Sequence, residues 1–126
     1  MKLPPPPASV SDLVEWIGLD AALLLIEEYG GTRFWVPNGL AGNHRTVHER
    51  LEALIGKDAT ATLIRYYGGD KVALPLAKQW RMQVYAARGM SNVEIARRVK
   101  LAEYSVRRFL AGRSRQPNDL QFNLAV

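Results

Sequence analysis

The sequence contains no cysteine, and this absence excludes a disulfide framework and any thiolate metal site. Long apolar runs are also missing, since no segment approaches the ~20 apolar residues that span a bilayer. The start, MKLPPPPASVSD, has no apolar core of the kind that a secretory signal carries. We therefore expect a cytoplasmic protein in a reducing environment, with no membrane partner.

Recognisable catalytic signatures are lacking as well. The two Gly-Gly pairs do not have the surroundings that a phosphate-binding loop needs, and the neighbouring Glu27 and Glu28 are more typical of a solvated helix face than of an acid/base pair. His44 and His48 are spaced i, i+4 beside Glu49, but zinc hydrolases need a third ligand, and the segment is more typical of an exposed helix start. We expect no enzyme activity, no metal and no cofactor.

The charge is unevenly distributed along a chain of ordinary globular composition. Apolar residues make up 48% of its 126 residues, so one domain, or a compact dimerising unit with a small binding domain, is expected. Residues 1–79 carry eight Lys and Arg against nine Asp and Glu, whereas residues 80–126 carry nine against three. A positive surplus confined to one end is what neutralisation of nucleic-acid phosphates requires.

A helix-turn-helix is predicted in this basic region, over residues 89–112, GMSNVEIARRVKLAEYSVRRFLAG. Ser91 and Glu94 match the S-x-x-E capping box, which starts the first helix near Asn92. The turn carries Lys100 where many such motifs have Gly. The predicted inward positions of the first helix and the turn are Ile95, Ala96, Val99 and Leu101.

The second helix of this motif is predicted to begin at Glu103 and to present a basic, polar face. Val106, Phe109 and Leu110 recur at i, i+3, i+4 and are predicted to face inward. The outward positions are then Tyr104, Arg108 and Ala111, flanked by Ser105 and Arg107, with Arg113 and Arg115 extending the basic surface. In a helix-turn-helix this second helix enters the major groove, where Arg bridges guanine O6 and N7. The alternative is a plain helical hairpin with a solvated basic face.

A supporting helix is predicted just before this motif, from about residue 76 to 88. Its apolar stripe consists of Leu76, Trp80, Val84 and Ala87. We expect Trp80, like Trp16 and Trp35, to be a core or interface anchor rather than a stacking platform for bases.

The first part of the chain repeats itself. Residues 13–37 align on residues 51–75 at an offset of 38, with eleven identities in 25 positions, among them both Gly-Gly pairs and the prolines that follow. Each unit is predicted as a helix, an Asp-capped helix, Gly-Gly, a short strand and Pro. Because a lone two-stranded ribbon is marginal and strand edges need partners, antiparallel pairing within or between subunits is required, and we expect an intertwined homodimer.

The two ends of the chain are less regular. Residues 4–7 are four prolines, which predict a loose arm in polyproline II conformation, and Ser9 or Ser11 is predicted to cap a short helix that Gly18 ends. At the other end, Leu120, Phe122, Leu124 and Val126 alternate with polar residues. That pattern fits a terminal strand or a partner-binding arm, and a disordered tail is the alternative.

In order, YGGTRFWVP, YGGDKVALP and the helix-turn-helix resemble the Mor/C family of bacteriophage Mu-like transcription activators, over about residues 13–112. The resemblance implies a mainly α fold with short β-strands. The expected organisation is a flexible Pro-rich arm (1–12), an intertwined dimerisation region built from the duplicated unit (13–75), a three-helix helix-turn-helix domain (76–112) and a C-terminal tail (113–126). It also implies a homodimer that binds double-stranded DNA near a promoter and contacts RNA polymerase, in the nucleoid of a bacterial host.

The resemblance implies particular DNA-binding residues. The major-groove helix of the family matches residues 103–111. The family's phosphate contacts, and the strand that approaches the minor groove, match residues before this helix. The implied residues are Glu103, Tyr104, Ser105, Arg107 and Arg108 on that helix, Asn92 and Lys100 near phosphates, and Gly68, Gly69 and Lys71 at the strand. The sequence departs from the family at Ala73, where an aromatic residue is usual.

A sequence-specific transcription regulator, most simply an activator, is the leading hypothesis. A repressor that uses the same DNA contacts is one alternative, and a dimeric module that captures a protein partner through its apolar tail is the other.

Overall fold

The structure is a computed structural model that describes residues 3–38 and 43–113, with the side chains of Asn43, His44 and Arg113 not described. This part of the chain is mainly α-helical with two short strands, as the sequence predicts. Its elements, in order, are α1 (Ala8–Ile17), α2 (Leu19–Tyr29), β1 (Thr32–Trp35), α3 (Asn43–Ile55), α4 (Lys57–Tyr67), β2 (Lys71–Leu74), α5 (Lys78–Ala87), α6 (Asn92–Val99) and α7 (Glu103–Arg113).

The chain divides into two compact units. One, here the ribbon unit, is Pro6–Ala77, and the other, here the basic unit, is Met1–Pro5 together with Lys78–Val126. The boundary after Ala77 lies two residues beyond the expected end of the dimerisation region at residue 75. Residues 3–5 cluster with the basic unit, which the sequence does not indicate.

The ribbon unit has a core to which each of its helices and strands contributes. A strand or helix buries one face only, so the unit closes by turning those faces toward each other. The core residues are Leu13 from α1, Ala22 and Leu25 from α2, Phe34 from β1, Val36 just after it, Leu51 from α3, Leu63 from α4 and Leu74 from β2.

Two helices of the ribbon unit follow the 38-residue offset at both ends, whereas α1 and α3 follow it only where they end, at Ile17 and Ile55. α2 and α4 begin and end at matching positions, and each is preceded by a glycine, Gly18 or Gly56, with φ of 90° or 92°. The expectation that Asp20 and Asp58 cap these helices is wrong, because the N-cap residues are the two glycines and the helices begin one residue before each Asp. Each carboxylate lies instead in the first helical turn, where it interacts favourably with the helix dipole.

The two strands pair with each other inside one chain. They are antiparallel, with Phe34 opposite Val72 and Trp35 opposite Lys71. Of the two pairing modes left open by the sequence, the structure therefore has the one within the subunit. The need for paired strands, from which the intertwined homodimer was expected, is met without strand exchange.

Two helix starts differ from the sequence expectation. α1 begins at Ala8 after Pro7, before Ser9 and Ser11, and no side chain caps it. Ala8 and the residues that follow it therefore belong to a helix rather than to the arm expected over residues 1–12. α5 begins at Lys78, so Leu76 is not on its apolar stripe.

The position of Leu76 has a physical reason. Pro75 and the positive φ of Ala77, 47°, prevent the helix from extending toward the strand. The side chain of Leu76 remains 42% exposed, although it approaches the glycine turn at Gly30 and Gly31.

The basic unit is built from α5, α6 and α7, each of which packs against the other two. Their buried hydrophobic side chains are Trp80, Met82, Val84 and Tyr85 from α5, Ile95, Ala96 and Val99 from α6, and Val106 from α7. Four of the positions predicted to face inward, Ile95, Ala96, Val99 and Val106, are buried, whereas the other three, Leu101, Phe109 and Leu110, are only half-buried.

Among the helices of residues 3–38 and 43–113, none combines the length and the apolar character that crossing a membrane requires. The C-terminal tail, with the alternating apolar residues from Leu120 onward, lies outside the described residues.

Candidate nucleic-acid interface

The start of α6 is fixed by its cap. Ser91 has extended backbone angles, and its Oγ accepts a hydrogen bond from the backbone N–H of Glu94 at 3.2 Å. This is the first half of the predicted capping box. The carboxylate of Glu94 lies 3.7 Å from Nε of Arg98, one turn further along the helix. Asn92 is therefore the first helical residue, and its side chain is half-buried.

The turn after α6 is tight and has a left-handed residue. Lys100 has φ 59° and ψ 47°, a conformation that costs an L-residue roughly 1–2 kcal/mol and that glycine adopts freely. The carbonyl of Ala96 accepts from the N–H groups of both Lys100 and Leu101, the latter at 3.1 Å. This pattern is typical of a helix end at which the chain changes direction sharply. The side chain of Lys100 is exposed.

The outer face of α7 carries the residues that the sequence predicts to point outward. Tyr104 is 56% exposed, whereas Val106, two residues later, is fully buried. Ser105, Arg107, Arg108 and Ala111 are also exposed. One face of α7 therefore packs on the core while the other presents polar and basic groups.

Three side chains on this face form a cluster around an aromatic ring. The guanidinium carbons of Arg107 and Arg108 lie 5.6 and 5.5 Å from the ring centre of Tyr104. Such cation–π contacts contribute roughly 0.5–1 kcal/mol at exposed sites. Nη1 of Arg107 is also 3.5 Å from the carboxylate of Glu103, although its side chain remains 58% exposed. The ring therefore limits the rotamers of two arginines whose donors still face solvent.

A buried arginine joins α5 to α6, and sequence reasoning missed it. Arg81 on α5 is only 2% exposed, and its Nη2 donates to the backbone carbonyl of Arg98 at 2.8 Å. Its Nε donates to the hydroxyl of Tyr85 at 3.4 Å. The Tyr85 ring also lies under the guanidinium groups of Arg81 and Arg98, at 5.9 and 5.8 Å.

This arrangement satisfies a carbonyl that the end of a helix leaves open. The last four carbonyls of α6 have no partner within the helix, and the Arg98 carbonyl is one of them. A charged donor to such a group makes a stronger hydrogen bond than a neutral one. Arg81 thus connects α5 to the end of α6 at the turn that leads into α7. In the sequence only the i, i+4 spacing of Arg81 and Tyr85 beside the Trp80 stripe hints at this role.

The remaining predicted residues lie in the ribbon unit. Gly68 and Gly69 form the turn between α4 and β2, with Gly69 at φ 81°, and Lys71 begins β2. Lys71 is exposed and opposite Trp35, while Arg33 is exposed and opposite Ala73. Directly opposed residues share a face of the ribbon, and so do residues two apart on one strand, such as Arg33 and Trp35. The outer face therefore carries both cationic side chains. Arg33 is a basic neighbour that the sequence reasoning did not select.

Trp16, expected to be a core or interface anchor, is half-buried and forms an aromatic stack at the surface of the ribbon unit. Trp16 lies parallel to Tyr66 at a ring distance of 4.1 Å and next to Tyr67 at 5.4 Å, and Tyr66 is 50% exposed. Burial, together with the negative charge of Asp12, raises the pKa of Tyr67 above its ordinary value. The Tyr67 hydroxyl therefore stays neutral at any physiological pH.

His48, in the histidine segment, is close to a carboxylate one helical turn away. Nε2 of His48 lies 3.2 Å from Oε2 of Glu52. Within the described ranges no three His, Asp or Glu side chains come close enough to hold a metal ion. The side chain of His44 lies outside that description.

Comparisons with protein-family models, with curated proteins and with solved structures found no match for this chain.

Replacement of Arg81 by Ala is expected to destabilise the basic unit by about 2–4 kcal/mol, because it removes a charge-assisted hydrogen bond and leaves the Arg98 carbonyl without its donor. Amide hydrogen exchange of the full chain, compared across α5, α6 and α7, measures this loss. Arg97→Ala is the matched control, since that side chain is exposed on α6. Equal protection in the two variants would contradict the role given to Arg81.

Proposed function

We propose that this chain is a sequence-specific, double-stranded-DNA-binding transcription regulator in which α6 and α7 form a helix-turn-helix supported by α5. The observation that carries the proposal is the outer face of α7, where Arg107 and Arg108 flank the ring of Tyr104 while the opposite face is anchored in the core. A helix held in this way presents a fixed set of donors to a groove. A helix that merely covers a core has no need of clustered cations on its solvent side.

Within this proposal, α7 is the recognition helix. Arginine guanidinium groups match the O6 and N7 acceptors of guanine in the major groove, and a serine such as Ser105 donates or accepts as required. Glu103 lies 3.5 Å from Arg107 and is acidic, so it accepts from cytosine N4 where the site has one, and it also restrains the arginine in the free protein. The exposed ring of Tyr104 offers an apolar surface to a thymine methyl group.

Phosphate contacts are assigned to the edges of the same three helices. Lys100 is exposed at the turn that precedes α7, and Asn92 lies in the first turn of α6, whose free N–H groups suit an anion. Arg113 is the last residue of α7. Such contacts fix the register of a protein on DNA and carry no sequence information themselves.

The ribbon unit is proposed to be a duplication of one helix–helix–Gly-Gly–strand segment, residues 13–37 and 51–75. The common bounds of α2 and α4 and the matching φ angles of Gly18 and Gly56 support this proposal. Its outer ribbon face, with Lys71 next to the Gly68–Gly69 turn and Arg33 on the neighbouring strand, is proposed as a second DNA contact. Glycines without side chains permit a close approach of the backbone to a groove.

A homodimer is proposed because one recognition helix reads only a few base pairs, and two related half-sites give a specific regulator its affinity. The strands pair within the chain, so dimerisation requires another surface. Exposed large hydrophobic residues of the ribbon unit, such as Leu24 at 38% and Tyr66 at 50%, are available for it. We further propose, from the resemblance to the Mor/C family, that the dimer activates a phage or prophage promoter by contacting bacterial RNA polymerase.

Substituting Arg107 or Arg108 by Ala is expected to weaken binding to the preferred DNA sequence, identified by selection from a random duplex pool, by about 1–3 kcal/mol. This is the range of a bidentate contact with guanine. Fluorescence anisotropy with the preferred duplex and with a scrambled duplex measures it. The control is Arg45→Ala, because Arg45 is exposed on α3 and pairs with Glu49. A loss that is the same on both duplexes would reassign the residue to a phosphate, and no loss would refute its place in the interface.

The substitution Lys100→Gly distinguishes the effect of this residue on stability from its effect on DNA affinity. Glycine relieves the left-handed strain at this turn, so the stability of the basic unit is expected to be retained or raised. If Lys100 contacts a phosphate, affinity falls on every duplex, and the slope of log K against log salt becomes shallower by about one charge. An unchanged salt slope, measured with the thermal unfolding of the same sample, would exclude Lys100 from the interface.

A further inference from the structure

The ribbon unit has a cavity between α2 and α3. Its volume is about 320 Å³, at the lower end of the range of roughly 300–1,000 Å³ that is usual for ligand pockets. The residues that line it are Glu28 and Tyr29 at the end of α2, and Arg50, Ala53 and Leu54 on α3. All five belong to the ribbon unit. The proposed DNA contacts use none of them.

The corresponding place between α1 and α4 is filled by aromatic rings. These two helices pack against each other, as α2 and α3 do. The ring of Trp16 on α1 lies parallel to that of Tyr66 on α4, with 4.1 Å between the ring centres. The ring of Tyr67 lies 5.4 Å from Trp16 at an angle of 55°. An indole and two phenol rings thus occupy the space between this pair of helices.

The residues that lie 38 positions away explain why the space between α2 and α3 stays open. Leu54 stands at the position that matches Trp16, and Glu28 stands at the position that matches Tyr66. Both replace a large ring by a side chain that has none. The tyrosine next to Glu28 is common to the two pairs, since Tyr29 matches Tyr67. The cavity therefore has one aromatic wall and lacks the ring that would pack against it.

Two opposite charges line this cavity on facing helices. Glu28 and Arg50 are both exposed, and within the described part of the chain neither has an ion-pair partner. A guanidinium group binds a carboxylate through two parallel hydrogen bonds, and a carboxylate accepts from an ammonium group. The cavity thus offers one partner for each charge of a zwitterion, together with an aromatic and apolar lining.

We propose that this cavity binds a free aromatic amino acid. The ring of the ligand lies beside Tyr29 and Leu54, in the place that corresponds to the Trp16 ring between α1 and α4. Aromatic rings attract each other in offset-stacked or edge-to-face arrangements, so Tyr29 favours a ring over an aliphatic chain. Arg50 binds the carboxylate of the ligand, and Glu28 accepts from its ammonium group. This inference does not depend on DNA binding.

Isothermal titration calorimetry of the full chain with L-tryptophan and with L-phenylalanine tests the proposal. For ligands of this size, the expected Kd of at least one of them is below about 1 mM. Two analogues separate the charges, because tryptamine lacks the carboxylate and indole-3-propionate lacks the ammonium group. Each is expected to bind about tenfold or more weakly than tryptophan, since each loses a charge-assisted hydrogen bond.

Three variants test the place of the ligand. Arg50→Gln and Glu28→Gln are each expected to weaken binding about tenfold or more. Leu54→Trp supplies the missing ring from the protein itself and is expected to abolish binding. Arg45→Gln is the matched control, because Arg45 is exposed on the same helix and pairs with Glu49. Circular dichroism establishes that each variant keeps its helices.

The outcomes that would overturn the site are distinct. Absence of binding for both amino acids at ~5 mM, well above the expected Kd, would refute it. Unchanged affinity in Arg50→Gln or in Glu28→Gln would place the ligand elsewhere and would also refute it. Equal affinity for tryptophan and its two analogues would refute a zwitterionic ligand.

Discussion

The hydrogen bond from the buried guanidinium of Arg81 to the carbonyl of Arg98 is the constraint on which the basic unit depends. It joins the supporting helix to the last turn of α6, and the left-handed residue Lys100 follows immediately. The direction of α7 is therefore set by a charged contact on one side and by the burial of Val106 on the other. A surface helix held at both places can present a defined set of side chains.

In the ribbon unit, the backbone conformation of glycines determines where α2 and α4 begin and where the chain turns into the strands. Gly18 and Gly56 start α2 and α4 at positive φ, and Gly31 and Gly69 reverse the chain into the strands. The angles allow each helix to be followed by a strand within two or three residues. The two strands then pair with one another and bury Phe34 and Leu74 on a common core. Each half supplies the partner that the other half's strand lacks.

Local pattern predicted most of the fold, because the elements are fixed by short-range rules. The capping by Ser91, the inward positions of α6 and the glycine ends of the helices all depend on residues within one or two turns. Arg81 and the contact between Trp80 and Pro4 could not be predicted, since their partners are 17 and 76 residues away. The i, i+4 spacing of Arg81 and Tyr85 is a hint too weak to distinguish a buried arginine from a solvated one. Likewise, no local rule tells whether the two strands pair with each other within one subunit or with strands of another subunit.

The claim on which the rest depends is that α7 reads a DNA sequence, and selection of bound duplexes from a random pool tests it most directly. Binding at ~150 mM salt suppresses attraction that comes from phosphate charge alone. The account predicts an enriched motif of two related half-sites, separated by about one helical turn or a multiple of it. The absence of any enriched sequence would contradict it and would leave the basic face of α7 without a role in sequence recognition.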